Sequence, residues 1–247
     1  MPPQYNFEKI KFATDPGTFE KAVNLYEGKK IKDFIEDFGR YSAVVLGGMP
    51  YKVTVSGRRY DDGSCECYLG QKNYLCKHMV VVAIYACLNG KKITVEEKEL
   101  VDGPVCSERL GELSKEELVK IKKSITDAMK YVKSYNGPSR TWFAYQGSLS
   151  EGCARLSPIV SELPISEQTA KLLVDLLLRL DKKLCTGGVD DSDGTVGGFM
   201  SEVVGVLEEY VALDPTCVSA FEKLCGQSTC FGWEAPLVRL FDERDIL

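Results

Sequence analysis

Histidine is nearly absent from this sequence of 247 residues, which has a single one at position 78. Nucleophilic catalysis by serine or cysteine usually needs a histidine as general base. The chain also lacks the Gly-x-x-x-x-Gly-Lys-Ser motif of a phosphate-binding loop, so any ATP-driven motor would be a separate protein. Because the one histidine is assigned to a metal below, we expect the protein not to be an enzyme.

Long apolar runs and a leader segment are missing as well. The apolar stretch 79–88 is about half as long as a bilayer-spanning helix, so we expect no membrane partner. The first residues show no basic segment followed by an apolar one, and we expect no secretory signal. The ten cysteines are therefore interpreted as reduced thiols, and the protein as cytoplasmic.

The charge is not basic overall but is unevenly distributed. The net charge is −5, yet residues 1–150 contain 23 Lys and Arg against 19 Asp and Glu. Residues 151–247 contain 8 Lys and Arg against 17 Asp and Glu. Any contact with a polyanion is therefore expected in the first part of the chain, and the acidic second part should repel it.

The most specific motif surrounds the histidine. Cys65 and Cys67 flank one residue, Cys76 and His78 flank another, and eight residues separate the two pairs. Thiolates and imidazole are preferred ligands of Zn²⁺, and four of them complete a tetrahedron. The spacing predicts one zinc ion bound by these four residues. A chance cluster of three core cysteines and a core histidine is the alternative.

A strand is predicted to carry the first pair of ligands. Residues 51–56 alternate strictly, and Asp61-Asp62-Gly63 is a turn signal, so residues 64–68 are predicted to form the returning strand of a hairpin. Residues two apart in a strand project to the same face. Cys65 and Cys67 would then offer two thiolates to one metal.

A helix is predicted to carry the second pair. From Cys76 the sequence is apolar as far as Leu88, and Asn89-Gly90 follows as a stop signal. The length and the alanines favour a buried helix, although the β-branched residues 80–82 could instead form a strand. The motif therefore predicts a ββα zinc unit.

The rest of the chain is predicted to be helical. Ser114 and Glu117 form the pattern of a capping box for a helix to about Tyr135. Ser166 is a predicted cap for a leucine-rich helix, and Asp214-Pro215 is a predicted start of another. The helix lengths suggest stacked pairs, without a repeat period that identifies a family.

These elements predict an α+β fold. A small antiparallel sheet plus a helix forms a zinc module in residues 1–95, with strands before the finger. Residues 96–113 are predicted as a linker, and residues 114–247 as an all-α helical-hairpin domain.

The Cys-x-Cys and Cys-x-His pairs with eight residues between them resemble the SWIM zinc finger. Segments 26–31 and 43–55 are also similar to the strands that precede the finger in stand-alone prokaryotic SWIM proteins. The resemblance covers about residues 20–90 and is specific for the finger. It implies binding of DNA or of other proteins.

The zinc is predicted to be structural because four protein ligands leave no open position for a reactive water. Nucleic acid, if bound, is expected at basic residues around the finger, with Tyr60, Tyr68 and Tyr74 as stacking surfaces. The alternative is that these residues form an ordinary solvated surface with no ligand. Nearby acidic residues also reduce the positive field around the finger. The basic candidates are Lys52, Arg58, Arg59, Lys72 and Lys77.

The acidic run Asp190, Asp191 and Asp193 invites comparison with a calcium loop. If Gly194 were the sixth position of an EF-hand loop, Val189 would be the first and Met200 the twelfth, where oxygen ligands are needed. We therefore interpret the run as a solvated turn and helix cap, and leave open whether it binds a divalent ion.

Together these features predict a non-enzymatic adaptor that uses a zinc-binding, SWIM-type interaction module. A protein partner is expected first, with nucleic acid as a second partner of the zinc module. The alternatives are a sequence- or structure-specific DNA-binding protein, and an enzyme with an unrecognised site in the helical domain. The sequence does not determine the partner, the pathway or the oligomeric state.

Overall fold

A computed structural model describes residues 2–100, 103–137 and 142–244. The chain forms two compact units, residues 1–100 and residues 101–247, which we call the N-terminal and C-terminal units. The division falls within the segment 96–113 that the sequence predicts as a linker.

The N-terminal unit contains a four-stranded antiparallel sheet in the order β1-β2-β3-β4. Along β2, alternate residues Tyr41, Ala43 and Val45 are buried, as expected for a sheet with one face on a core. A bulge interrupts the pairing of β1 with β2 between Lys32 and Ile35. The strands are β1 (Ile31–Asp37), β2 (Arg40–Leu46), β3 (Pro50–Ser56) and β4 (Gly63–Cys65).

Helices cover the buried face of this sheet. The central one, α4, packs against β2, β3 and β4 and against α1 and α2. Residues 80–84 of α4 are completely buried, which explains why this helix is apolar on all sides. It ends at Asn89 in the left-handed conformation, as the stop signal predicts. The helices are α1 (Phe7–Ala13), α2 (Pro16–Glu27), α3 (Tyr68–Gln71), α4 (Lys77–Leu88) and α5 (Val95–Lys98).

The predicted strand over residues 64–68 is wrong at its C-terminal end. Strand β4 stops at Cys65, and Cys67 is instead the N-cap of α3. The Cys67 sulfur accepts a hydrogen bond from the backbone N–H of Gly70, at 3.4 Å. This local cap satisfies a helix donor that a strand would leave unpaired. The two thiols therefore approach each other from two elements and not from one strand face.

The C-terminal unit is helical, and one apolar core joins its helices. The predicted caps at Ser114 and Ser166 are present, and Ser114 forms a complete capping box with Glu117. Asp214 caps a 3-10 helix that begins at Pro215. The elements are α6 (Lys115–Ala128), α7 (Trp142–Ser161), α8 (Glu167–Cys185), α9 (Thr195–Leu213), the 3-10 helix (Pro215–Leu224) and α10 (Ala235–Glu243).

Helix α6 is shorter than predicted. It ends at Ala128 rather than near Tyr135, because the next residues form tight turns in which Lys130 and Tyr131 donate to carbonyls only three residues earlier. With this correction, the predicted α+β fold of a small antiparallel sheet followed by helices is confirmed. No helix within the described residues is long and apolar enough to cross a membrane.

Two cysteines depart from the expected reduced state. Cys185 at the end of α8 and Cys230 form a disulfide, with their Cα atoms 6.0 Å apart. The other eight cysteines are free. The expectation of reduced thiols is therefore wrong for this pair, which lies 45 residues apart in sequence and has no local spacing signal.

The core of the C-terminal unit predicts a specific stability difference. Leu173 in α8 is completely buried, so Leu173→Ala should lower the free energy of unfolding by about 2–5 kcal/mol. Leu213→Ala is the matched control, because this α9 leucine is half exposed, and it should change stability by about 0.5 kcal/mol or less. Urea unfolding followed by circular dichroism measures both, and equal losses would contradict this packing.

Candidate metal centre

Three short elements bring the predicted ligands together. Cys65 is the last residue of β4, Cys67 is the N-cap of α3, Cys76 is the N-cap of α4, and His78 lies in the first turn of α4. The β3–β4 hairpin places Cys65 opposite Val53 of β3. Helix α4 packs against this same strand. The four residues therefore converge where the sheet meets the start of its main helix.

The geometry of the four donors fits one zinc ion. Their ligand atoms all lie within 4.8 Å of one another. The Cys65 sulfur is 3.7 Å from Nδ1 of His78, close to the edge of about 3.5 Å expected between sulfur and nitrogen in a tetrahedral zinc site. All four residues are at least nine-tenths buried. A buried Cys₃His cluster of this kind is compatible with one structural zinc.

One thiol of the cluster, that of Cys76, is poised to lose its proton. The hydrogen bond between Cys65 and Cys76 is the largest cause of a pKa of about 4 at Cys76, and hydrogen bonds from His78 and the Met79 backbone N–H contribute to the same shift. The same Cys65–Cys76 bond, together with burial, raises the pKa of Cys65. The cluster therefore favours the thiolate form at Cys76, and a bound Zn²⁺ would also favour loss of the Cys65 proton.

Backbone N–H groups also face the sulfurs. The Cys67 N–H donates to the Cys65 sulfur at 3.5 Å, and the Gly70 N–H donates to the Cys67 sulfur at 3.4 Å. Hydrogen bonds to a charged sulfur stabilise the thiolate over the thiol. The turn after β4 thus contributes to the electrostatics of the cluster as well as to its shape.

Two glycines that sequence reasoning missed leave room for the backbone and side chains around the cluster. A Cβ on Gly70 would lie 2.3 Å from the Cys65 carbonyl oxygen, so only glycine lets α3 pack against Cys65. A Cβ on Gly47 would lie 3.1 Å from Nε2 of His78, which leaves little room beside the ring. A single sequence gives no signal that separates these positions from ordinary turn glycines.

Tyr51 contacts the His78 ring, and sequence reasoning did not identify this contact either. Its ring lies 4.7 Å from the His78 ring, with the planes tilted by 33°. Nε2 of His78 is buried and has no hydrogen-bond partner among the described residues. Packing by Tyr51 and Gly47 therefore orients the ring, while Nδ1 faces the cysteines.

The five basic candidates for nucleic-acid binding lie on different segments of the N-terminal unit. Lys52 lies near the start of β3 and Ser56 ends it, about 13 Å further along the strand. Arg58 and Arg59 come after Ser56. They therefore lie past the C-terminal end of β3, whereas Lys52 is near its N-terminal end. Lys77, by contrast, opens α4 beside the metal ligands.

Several of these charges have local partners. Arg59 donates two hydrogen bonds to the carboxylate of Asp61, at 3.1 and 2.7 Å, which raises the pKa of the guanidinium. Lys72 donates to the hydroxyl of Tyr68 at 2.6 Å and lies over its ring. The Asp61 carboxylate therefore offsets the Arg59 charge, whereas the neutral Tyr68 leaves the Lys72 charge in place.

The acidic run before α9 acts as a helix cap. The carboxylate of Asp191 accepts the N–H groups of Val196 and Gly197, each at 2.8 Å. Asp193 accepts the N–H of Thr195 at 3.2 Å, and Asp190 accepts the N–H of Ser192 at the same distance. The predicted turn and cap are thus present, with Asp191 as the main capping residue.

The cluster predicts a strong effect of removing one ligand. Cys76→Ser should release the zinc and unfold the N-terminal unit, because zinc binding of about 10–16 kcal/mol is comparable to the whole stability of a domain. Cys87→Ser is the matched control: Cys87 lies in the same helix, outside the cluster, and donates to the Tyr5 carbonyl. Mass spectrometry measures the zinc content, and circular dichroism measures the folding of both variants. An unchanged zinc content in Cys76→Ser would refute the assignment.

Comparison with known proteins gives one result. No curated protein and no solved structure matches the chain. Residues 51–87 match the model of a protein family described as the SWIM zinc finger. This segment contains β3, β4, α3 and nearly all of α4, with all four ligands of the buried cluster. The chain therefore carries a SWIM zinc finger at residues 51–87, built around Cys65, Cys67, Cys76 and His78.

Proposed function

We propose that this protein is a non-enzymatic adaptor whose SWIM zinc finger presents a surface to a protein partner. The observation that carries the proposal is the contrast between a closed, buried metal cluster and the exposed apolar side chains on the segments that the cluster fixes. The cluster offers four protein donors and no open position, so its zinc holds a shape and does not activate water.

The exposed side chains lie on three segments close to the metal ligands, two within the finger and one just before it. Tyr68 and Leu69 belong to α3, directly after Cys67, and Tyr68 is 71% exposed. Tyr74 is 63% exposed and lies two residues before Cys76, where its N–H donates to the Leu69 carbonyl at 3.0 Å. Met49, 64% exposed, lies in the β2–β3 turn, whose Gly47 approaches His78. We call these four residues the finger surface.

The composition of the finger surface favours a protein partner. Tyrosine and methionine are enriched in protein interfaces, and tyrosines often supply much of the binding energy. A metal-fixed turn also holds these side chains in place before binding, which reduces the entropy lost on association. SWIM domains interact with proteins or with DNA, so the family match supports either partner.

DNA binding is the second candidate. It is supported by Lys77 at the start of α4 and by Arg58, which is exposed and follows β3. It is weakened by the pairing of Arg59 with Asp61 and by the carboxylate of Glu66, which accepts the Lys52 backbone N–H at 2.9 Å. We therefore place a protein partner first.

Absence of catalysis is part of the proposal. One cavity of the C-terminal unit, between the 3-10 helix and α10, is lined by Glu234, Arg239, Asp242 and Glu243 among others. A second is lined by Arg179, Lys182 and Lys183 at the end of α8. Among the described residues, no cysteine or aromatic side chain lines either cavity, which gives no support to an enzyme site there.

A cytoplasmic location is also part of the proposal. Zinc binding needs the three cysteines of the finger to stay reduced, which a reducing compartment favours. The disulfide between Cys185 and Cys230 argues in the opposite direction. Counting free thiols on protein isolated from its native host would distinguish a reducing compartment from an oxidising one.

The adaptor proposal predicts which variants lose the partner. Tyr68→Ala combined with Tyr74→Ala should weaken partner binding at least about tenfold, while zinc content stays unchanged. Phe38→Ala is the matched control, since this aromatic residue is fully exposed at the turn between β1 and β2, away from the metal ligands. Co-purification from the native host with quantitative mass spectrometry measures retention, and equal retention by both variants would contradict the proposed surface.

The DNA alternative predicts a different pattern. Binding of a labelled duplex should fall steeply between about 50 and 200 mM salt and should be lost in Arg58→Ala combined with Arg59→Ala. Fluorescence anisotropy measures this directly. If the arginine variant instead keeps its protein partner and wild-type protein shows no salt-dependent DNA binding, the adaptor role is favoured over the DNA role.

A further inference from the structure

A cavity of about 530 Å³ lies in the N-terminal unit, at the opposite end of α4 from the metal cluster. It is formed by the last residues of α2, the start of β1, the end of α4 and the segment that follows α4. On α4, the metal ligand His78 and the cavity residue Tyr85 are seven residues apart, which corresponds to about 10 Å along the helix axis. The cavity is therefore distinct from the zinc finger surface.

One part of the cavity lining is apolar and held in place. Tyr26 is buried, and its hydroxyl donates to the Lys91 carbonyl at 2.8 Å, which ties the segment after α4 to α2. The Tyr26 ring meets the half-buried Tyr85 ring edge-on, with centroids 6.1 Å apart. Ile31 and Ile93 complete this apolar lining. This apolar lining is the part of the cavity against which an apolar group of a ligand would pack.

The other part of the lining is strongly basic. Lys29, Lys32, Lys91 and Lys92 all line the cavity and are exposed, and none of them forms an ion pair within the described residues. Among the described residues that line the cavity, Glu27 is the one acid, and it is paired with Lys98 at 2.7 Å.

Two helices end beside these lysines, and their C-termini carry partial negative charge. Each terminus contributes about half a charge, which offsets only part of four positive charges. The cavity therefore keeps a positive field after these local terms are included. Such a field favours a ligand with more than one negative charge.

We propose that this cavity binds a nucleotide-like small molecule, with its flat ring against the apolar lining and its phosphate groups at the four lysines. The volume falls within the range of about 300–1,000 Å³ that is usual for small-molecule sites. An inositol phosphate has no flat apolar ring for the apolar lining, and a fatty acid carries one charge only. A base with two phosphates uses both parts of the lining. This site does not depend on the adaptor proposal.

The test uses the zinc-loaded full-length protein and three probes measured by isothermal titration calorimetry. ADP contains both the flat ring and the charges, adenosine contains only the ring, and pyrophosphate contains only the charges. ADP is expected to bind, with affinity that falls as salt increases. Adenosine and pyrophosphate are each expected to bind at least about tenfold more weakly, because each uses one part of the lining.

A charge-matched pair of variants locates the site. Lys92→Glu should weaken ADP binding at least about tenfold. Lys21→Glu, an exposed lysine of α2 outside the cavity, should leave ADP binding unchanged although the net charge changes equally. Zinc content and melting temperature of both variants should match those of the unmodified protein.

Several results would overturn the proposal. No binding with ADP up to about 1 mM would remove the site, as would equal loss of affinity in the two lysine variants. Pyrophosphate binding as tightly as ADP would show that the ring is not recognised. An oligoglutamate peptide that binds as tightly as ADP would show a general acidic-ligand site instead.

Discussion

The closure of three thiols and one imidazole around a single point is the constraint on which the N-terminal unit depends. Strand β4 is only three residues long, and α3 has four residues, so neither element would persist without tertiary support. The cluster joins both of them to α4, whose apolar residues fill the space between the sheet and α2. A metal ion there would add to the apolar core of the unit and hold these two short elements against it.

The parts of this site that the sequence predicts are those with a short-range signal. The spacing of Cys65, Cys67, Cys76 and His78 identifies the ligands, since residue type and spacing follow directly from zinc chemistry. The apolar run before Asn89 identifies α4, because a helix that is buried on all sides must be apolar on all sides. The capping box at Ser114 identifies the start of α6 for the same local reason.

The parts that the sequence does not predict depend on contacts between distant residues or on a balance of local ones. The alternation of residues could not show that Cys67 caps α3 and does not extend β4. The cap is favoured by a hydrogen bond from the Gly70 N–H to the Cys67 sulfur, which the pattern does not reveal. The need for glycine at position 70 arises from its approach to Cys65 in space. Likewise, Cys185 and Cys230 are 45 residues apart, and the basic cavity joins residues from α2, β1 and α4.

Helix α4 has the metal cluster at one end and the basic cavity at the other. If the metal orders this helix, occupation of the two ends must be thermodynamically linked, and the linkage is reciprocal. If bound zinc raises the affinity of the cavity for an anion by some factor, the bound anion raises the affinity for zinc by the same factor. Under zinc limitation, a small molecule at the cavity would then set how many copies of the chain hold a folded finger, and so how many can bind a partner.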